Sequence, residues 1–506
     1  MSENGNKRIV KNTVFLYIRM LFVMLAGLYT VRVILAALGE TDYGIYNVVG
    51  GIVSMFSFVS GSLSSSAQRY FSVCLGERNY KKLNEWFCLN INVFTLIVVF
   101  CIVIAETVGL WFVNTQMTIP EDRMFSVNII YQLTILSFST SLYNVPYVAM
   151  IVAHEKMSAF AYIGIIEALL KLLVAFFISI APFDKLIFYG LLMCVISVSL
   201  TSVYIFYCNR NFKEVSYHKY WNRGEVMELL SFTNWHLLGT VSVVVRGHGI
   251  NILLNTFFNP VVNAARAIAY QVEHALLQLN NNFFMAVKPQ IYKLYASNEL
   301  YLLHQLIIRS TSVSFFLNSI LAIPVFFYAE YILTLWLGDV PQHTVLFTQI
   351  ILWVGLVDSG NGAMIAPVLA TKKIRNFYLI TGSLYIFTLP ISYIILKLGG
   401  SPESTAVVTL IISFVTVFCR VYFLYRLIKL PAMKYVGLLV RIMIVTIGIF
   451  VLVEIITENL NEDFLSFVMI FSFSLALHVL FYCMFVISKE DRSLVMGVMC
   501  KKLLGK

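Results

Sequence analysis

This sequence predicts an all-α integral membrane protein of about 14 transmembrane helices, and three observations carry that reading. Of its 506 residues 59% are hydrophobic and only 12% are charged, about half the charged share of a soluble domain. Mean hydropathy is +0.82. The apolar residues also fall into runs of about 20 or more, the length a bilayer-spanning helix needs.

In chain order the spans are residues 14–38, 44–70, 86–113, 125–153, 158–180, 186–208, 227–258, 261–286, 302–328, 345–370, 377–398, 404–425, 436–456 and 464–487. Backbone polar groups in hydrocarbon must be satisfied within the segment, so these runs are helices. The stretch before the first span is polar and basic. The first apolar run carries Arg19 and Arg32 and is too long for a signal peptide, so it is expected to be retained. With the N-terminus inside, 24 of the 36 Lys and Arg fall in inside segments, against Arg123, Lys185 and Lys397 in outside loops. That alternation predicts that both termini are cytoplasmic. In a soluble protein the net charge of +10 would suggest nucleic acid; here the loop bias accounts for it and no nucleic-acid partner is expected. The eight Cys are scattered without a CxxC pair, so neither a disulfide framework nor a metal site is expected, and no cofactor is called for.

The longest loop between spans, 209–226, is charged and follows the sixth span. It predicts an N-terminal lobe of residues 1–215 with spans one to six and a C-terminal lobe of residues 216–430 with spans seven to twelve. Residues 431–506 then hold the last two spans and a basic tail, from Lys489, suited to an amphipathic helix on the inner membrane surface. Six spans is an even number, so a repeat of the two lobes would be parallel. The second and eighth spans, both unusually polar, support such a repeat.

Nine basic residues lie within spans: Arg19, Arg32, Arg69, Lys171, Arg246, Arg266, Arg309, Arg420 and Arg441. They outnumber the embedded acids, among them Glu106, Glu167, Glu273 and Asp358. A charge at the bilayer centre costs at least about 2.5–3.5 kcal/mol on insertion scales, so such residues face water or a partner. Arg69, Arg309, Arg420 and Arg441 lie near inner span ends and are expected to snorkel. Glu167 and Lys171, one turn apart, are expected to neutralise each other. Arg19 and Arg32 leave nearly opposite helix faces, so one of them is expected to face the interior, and the sequence does not say which. Arg246 sits mid-span, before Gly247-His248-Gly249, where two glycines permit a local break.

On the eighth span Asn263, Arg266, Tyr270, Glu273, His274, Asn280 and Asn281 share an arc of roughly 120°. That stripe reads as the lining of a hydrated cavity, the plainer alternative being a polar helix–helix seam. Ser residues along the second span and Thr134, Ser137, Thr140, Tyr143 and Asn144 on the fourth suit close packing. In the tenth span, Asp358-Ser359-Gly360-Asn361-Gly362 reads as a broken helix, with Asp358 a proton or cation site. No Walker A loop and no DxD, HExxH or GxSxG pattern occurs, and no extramembrane stretch is long enough for a catalytic domain, so an enzyme is not expected.

Several stretches resemble a known family: Arg32-Val33-Ile34-Leu35 with Leu38 to Tyr46, Gln68-Arg69, Ala153-His154-Glu155-Lys156-Met157, Asn251 to Asn255, Val262-Asn263-Ala264-Ala265-Arg266, and Lys288-Pro289-Gln290-Ile291. In this order they resemble the polysaccharide (oligosaccharide) transporters of the multidrug/oligosaccharidyl-lipid/polysaccharide exporter (MOP) superfamily, which includes O-antigen-type flippases. The turn Thr371-Lys372-Lys373-Ile374-Arg375 lacks the glycine expected there. The resemblance implies two six-helix lobes working by alternating access in a bacterial inner membrane. The cargo it implies is a polyprenyl-pyrophosphate-linked oligosaccharide, used to build surface polysaccharide such as lipopolysaccharide. Arg246 and Arg266, helped by Arg19 or Arg32, would hold the anionic head group, since Arg binds phosphate bidentately. Asn263 and Tyr270 suit sugar hydroxyls. Glu273, Asp358 or His248 would couple transport to H+ or Na+. Two other functions stay open: a multidrug or metabolite cation antiporter of the same superfamily, disfavoured by the excess of embedded bases, and a membrane polysaccharide polymerase or ligase, disfavoured by the short outer loops.

Overall fold

The computed structural model describes residues 3–54, 57–115, 121–178, 181, 184–258, 260–458, 460–486 and 492. Among them every regular element is helical: α1 (Glu3–Ser54), α2 (Ser57–Gly76), α3 (Tyr80–Ile104), α4 (Leu110–Thr115), α5 (Met124–Ala153), α6 (Met157–Phe177), α7 (Lys185–Asn211), α8 (Arg223–Phe257), α9 (Pro260–Ala296), α10 (Leu300–Phe327), α11 (Ala329–Leu337), α12 (Thr344–Asp358), α13 (Asn361–Ala370), α14 (Arg375–Lys397), α15 (Ser404–Ile428), α16 (Ala432–Thr457) and α17 (Phe464–Phe481). Twelve helical stretches are long and apolar enough to cross a membrane. The two expected spans outside that set, 44–70 and 261–286, are the polar ones, and they are helical over their described residues. Gly39, at φ +77°, divides α1 into the first span and the start of the second; only glycine adopts this conformation readily. The basic tail from Lys489, apart from Arg492, lies outside the described residues.

The chain forms two compact units, residues 1–237 with 285–297 and residues 238–284 with 298–506. The divisions fall inside α8 and α9. In the first unit α5 packs along α7, and α1 along α6. Its core gathers Leu83, Phe87, Ile130, Met150, Ile163 and Tyr204. The expected lobe boundary, 209–226, is a strap here. Asn84 donates to the carbonyls of Glu214 (2.6 Å) and Ser216 (2.7 Å), and Asn92 donates to that of Tyr220 (2.9 Å), tying the non-helical stretch along α3. Two stretches from the resemblance also meet in this unit. Glu155 accepts from Gln290 (3.2 Å) and Lys293 (2.6 Å). In the second unit α14 packs on α15, α12 on α15, and α10 on α12, α16 and α17. Both units present apolar faces, such as Leu96, Val99, Phe100 and Val103 on α3 and Ile411, Phe414 and Phe418 on α15, as acyl chains require.

The units share local devices. The turn after α2 places Arg78 at φ +55°, and the turn after α9 places Asn298 at φ +59°. The turn after α5 places Glu155 at φ +60°, and the turn after α13 places Lys372 at φ +64°. The glycine missing from 371–375 is therefore replaced by a lysine that adopts the same left-handed backbone. At the other helix ends, Arg123 before α5 donates to Asp184, the N-cap of α7 (2.7 Å). His343 before α12 pairs with Glu403, the N-cap of α15. Arg123 also bonds Asp42 (2.5 Å). Burial pushes the Asp184 carboxyl up, but the Ser126 hydroxyl, the backbone N–H groups of Ile187 and Leu186, and Arg123 outweigh it, so the group sits below the ordinary carboxylate range. Asp42 is raised, burial there outweighing Arg123.

Candidate functional site

The second unit holds a buried cluster of charge built by four helix contacts. Where α8 meets α14, small residues bring the backbones close. Gly239 lies against Tyr378, Gly382 against Ser242, and Gly249 against Leu389. That approach seats Arg246, 9% exposed, with its Cζ 4.6 Å from the centre of the Tyr385 ring, where the ring quadrupole attracts a cation. Arg420 of α15, only 2% exposed, lies 6.0 Å from the same ring centre and donates to the Tyr385 hydroxyl at 2.5 Å. Its other terminal nitrogen donates to the Asn361 side chain at the start of α13.

Between α8 and α9, Arg266 stacks over Tyr270 at 4.4 Å and donates to the Gly247 carbonyl at 3.3 Å and to the Asn251 side chain. Asn263 donates to the Asn251 carbonyl at 3.1 Å. Glu273, two turns along α9 from Arg266, is 5% exposed and packs on Gly355 of α12, where an added Cβ would lie 3.3 Å from Glu273 Cγ. At the α12 terminus Asp358 accepts a hydrogen bond from Ser413 at 3.4 Å. The carboxylates of Asp358 and Glu273 interact electrostatically with each other and with Arg246. One terminal nitrogen of Arg246 and one oxygen of Asp358 are buried without a hydrogen-bond partner among the described residues. Arg246 and Arg266 thus lie among two carboxylates, with Arg420 on the same Tyr385 ring as Arg246. The arrangement suits an anion that accepts from Arg246, and it keeps one carboxylate oxygen for a proton or cation.

The structure sorts the expected site residues as follows. Arg246, Arg266, Tyr270, Glu273 and Asp358 come together. Asn263 is one contact away, through Asn251. His248 is exposed on α8, which runs unbroken past Gly247 and Gly249, so the local break that these glycines permit is not made. The expected break in the tenth span is present, with α12 ending at Asp358 and α13 beginning at Asn361. The polar arc on α9 is divided. Arg266, Glu273 and Asn280, spaced by seven, are buried as a helix–helix seam, whereas His274 and Asn281 are exposed.

Arg19 and Arg32 belong to the first unit. Arg19 is half-buried with its Cζ 4.4 Å from the Phe160 ring centre and packs on Gly164; Arg32 is exposed. Two arginines expected to snorkel do not. Arg69 (1% exposed) and Arg420 are buried, Arg69 between Tyr70 and Phe232. Their inner-end positions permit snorkelling, but aromatic faces close by capture them first. Arg441 is exposed, as expected.

Arg420, Tyr385 and Asn361 were not expected here. Their signal is a pair of polar stripes: Thr405, Thr409, Ser413, Thr416 and Arg420 on α15, and Thr381, Tyr385, Thr388 and Ser392 on α14, all buried. Among the described residues, no group of three His, Cys, Asp or Glu forms a metal site.

No family model and no curated protein matches the sequence significantly. Solved structures match the fold. An outward-facing MATE family multidrug resistance transporter of the MOP superfamily is similar with a TM-score of 0.72 at 10% identity, covering 84% of this chain and 97% of that one. A MATE in complex with MaD3S gives 0.70 at 13% identity, with the same coverage. A MOP superfamily transporter from Pyrococcus furiosus, described as having a binding pocket of reversed polarity suggesting a different function, gives 0.67 at 11%, again with that coverage. The chain has the MATE-like fold.

Proposed function

We propose that this chain is a multi-pass membrane transporter of the MOP type that moves an anionic, lipid-linked cargo by alternating access. The observation that carries the reading is the surplus of buried guanidinium in the second unit: Arg246, Arg266 and Arg420 against Glu273 and Asp358. Buried charge persists where something pairs with it, and a pyrophosphate group, accepting bidentately from Arg246 and Arg266, supplies the missing counter-charge. A polyprenyl-pyrophosphate-linked oligosaccharide fits that requirement, its tail staying among the apolar faces of the helices. In this reading the chain resides in a bacterial inner membrane with both termini cytoplasmic, and Asp358 or Glu273 takes the coupling H+ or Na+.

A second reading is supported by the solved structures of similar fold, one of which is a multidrug resistance transporter. Here Glu273 and Asp358 would bind an organic cation and exchange it for an ion. The comparison with the transporter of reversed pocket polarity supports treating the sign of the buried charge as the feature that separates the two.

The test uses the full chain in proteoliposomes. Arg246→Ala and Arg266→Ala are each expected to reduce flipping of a polyprenyl-pyrophosphate oligosaccharide at least tenfold, about 1.4 kcal/mol or more. If flipping survives both changes in correctly inserted protein, or if the unchanged chain moves cationic dyes and not the lipid, the first reading is wrong.

A further inference from the structure

The first unit encloses a cavity of about 280 Å³ whose walls include Ser137 and Asn144 of α5, Glu167 and Lys171 of α6, and Ser197 and Thr201 of α7. That is the liquid volume of about nine waters, room for one sugar ring. The two wall charges cancel, because Lys171 donates to Glu167 at 2.6 Å.

The hydroxyl groups around it are oriented. Thr134 donates to the Ile130 carbonyl, Ser137 to Leu133, Ser197 to Ser137, and Thr201 to Thr140, at 2.8–3.2 Å. Each hydroxyl spends its one proton on the backbone and has acceptor lone pairs left over. Asn144 lines the cavity as well, with an amide side chain. A chamber rich in acceptors and without net charge repels an anion. With Glu167 paired to Lys171, no unpaired carboxylate is left among those walls to hold an organic cation. A neutral molecule with many O–H donors matches it.

We infer that this cavity in the first unit binds a single neutral glycosyl residue of the cargo. The inference rests on the reading of the cargo as a lipid-linked oligosaccharide, and it assigns sugar recognition to side chains other than the arginine cluster.

The test is saturation-transfer NMR on the full chain in nanodiscs, with methyl β-glucoside and N-acetylglucosamine as neutral probes, tetraethylammonium as the cation and methyl phosphate as the anion. Saturation should reach at least one sugar and neither ion at this site. It should fall at least fivefold in Thr201→Phe and in Asn144→Leu, the latter keeping side-chain volume should the larger change prevent folding. Arg441→Ala, an exposed change on α16, should leave it unchanged. No transfer to either sugar in the unchanged chain, transfer to tetraethylammonium that Asn144→Leu abolishes, or sugar signals indifferent to both pocket changes would each overturn the assignment. Sugar binding that persists while Arg246→Ala leaves lipid flipping intact would sink the head-group reading and leave this one standing.

Discussion

Tyr385 lies beside two guanidiniums, Arg246 at 4.6 Å and Arg420 at 6.0 Å from its ring centre, and its hydroxyl accepts from Arg420. Ring and hydroxyl therefore do separate work, and substitution separates them. Tyr385→Phe keeps the ring and strands one donor of Arg420, at about 1–3 kcal/mol. Tyr385→Leu also removes the quadrupole and is expected to cost more, by about 0.5–2 kcal/mol. Thermal unfolding of the two variants in detergent checks the order. Arg246 was legible in the sequence because a charge at mid-span cannot snorkel to the membrane surface, and Arg266 because it shares a polar arc with Tyr270 and Glu273. Arg420 was not, because an arginine two turns from a span end has one. What it touches depends on Tyr385 and Asn361, 35 and 59 residues away, and no local pattern fixes such distances. The four-and-three spacing of Thr405 to Arg420 marks the face but not its partner.

At the scale of elements, the helix starts carry the ion pairs. Asp184 accepts from Leu186 N (2.9 Å) and Ile187 N (3.3 Å) at the first turn of α7 while also holding Arg123. Asp184→Asn keeps much of the cap and loses the charge. A carboxyl held below its ordinary range binds its proton more readily in the unfolded chain. Its contribution is therefore present above about pH 4 and is lost as pH falls below that. The variant is expected to melt lower at pH 7, by about 0.5–1 kcal/mol, and to lose less stability between pH 5 and pH 3. A pH series of melting curves checks this, and an unchanged acid limb would refute it. Asp42, pushed the other way by burial, acts with opposite sign. The helices themselves were readable from hydropathy, and the α12–α13 break from Asp358 to Gly362. Two glycines permit a bend in α8 without requiring one, and the helix runs unbroken from Arg223 to Phe257.

Across the whole chain, left-handed residues fall at the turns that the expected repeat would pair, Arg78 with Asn298 and Glu155 with Lys372, none of them glycine. Sequence comparison by residue type passes over such a match, since unlike residues hold the same conformation. The cargo was the least legible feature, because it depends on which side chains meet, not on how many there are. The polarity of α9 has a further consequence, for biogenesis. A translocon releases a segment sideways into lipid according to its own apolarity, and a central Arg or Asp costs about 2.5–3.5 kcal/mol there. With Arg266, Glu273 and three consecutive asparagines in its apolar stretch, the helix should fail to partition as a lone guest in a glycosylation-mapping reporter and should enter when α8 precedes it. Efficient entry of the isolated segment 260–296 would refute this. The helix that supplies the site's charge would then be a late arrival, admitted by neighbours already in the membrane.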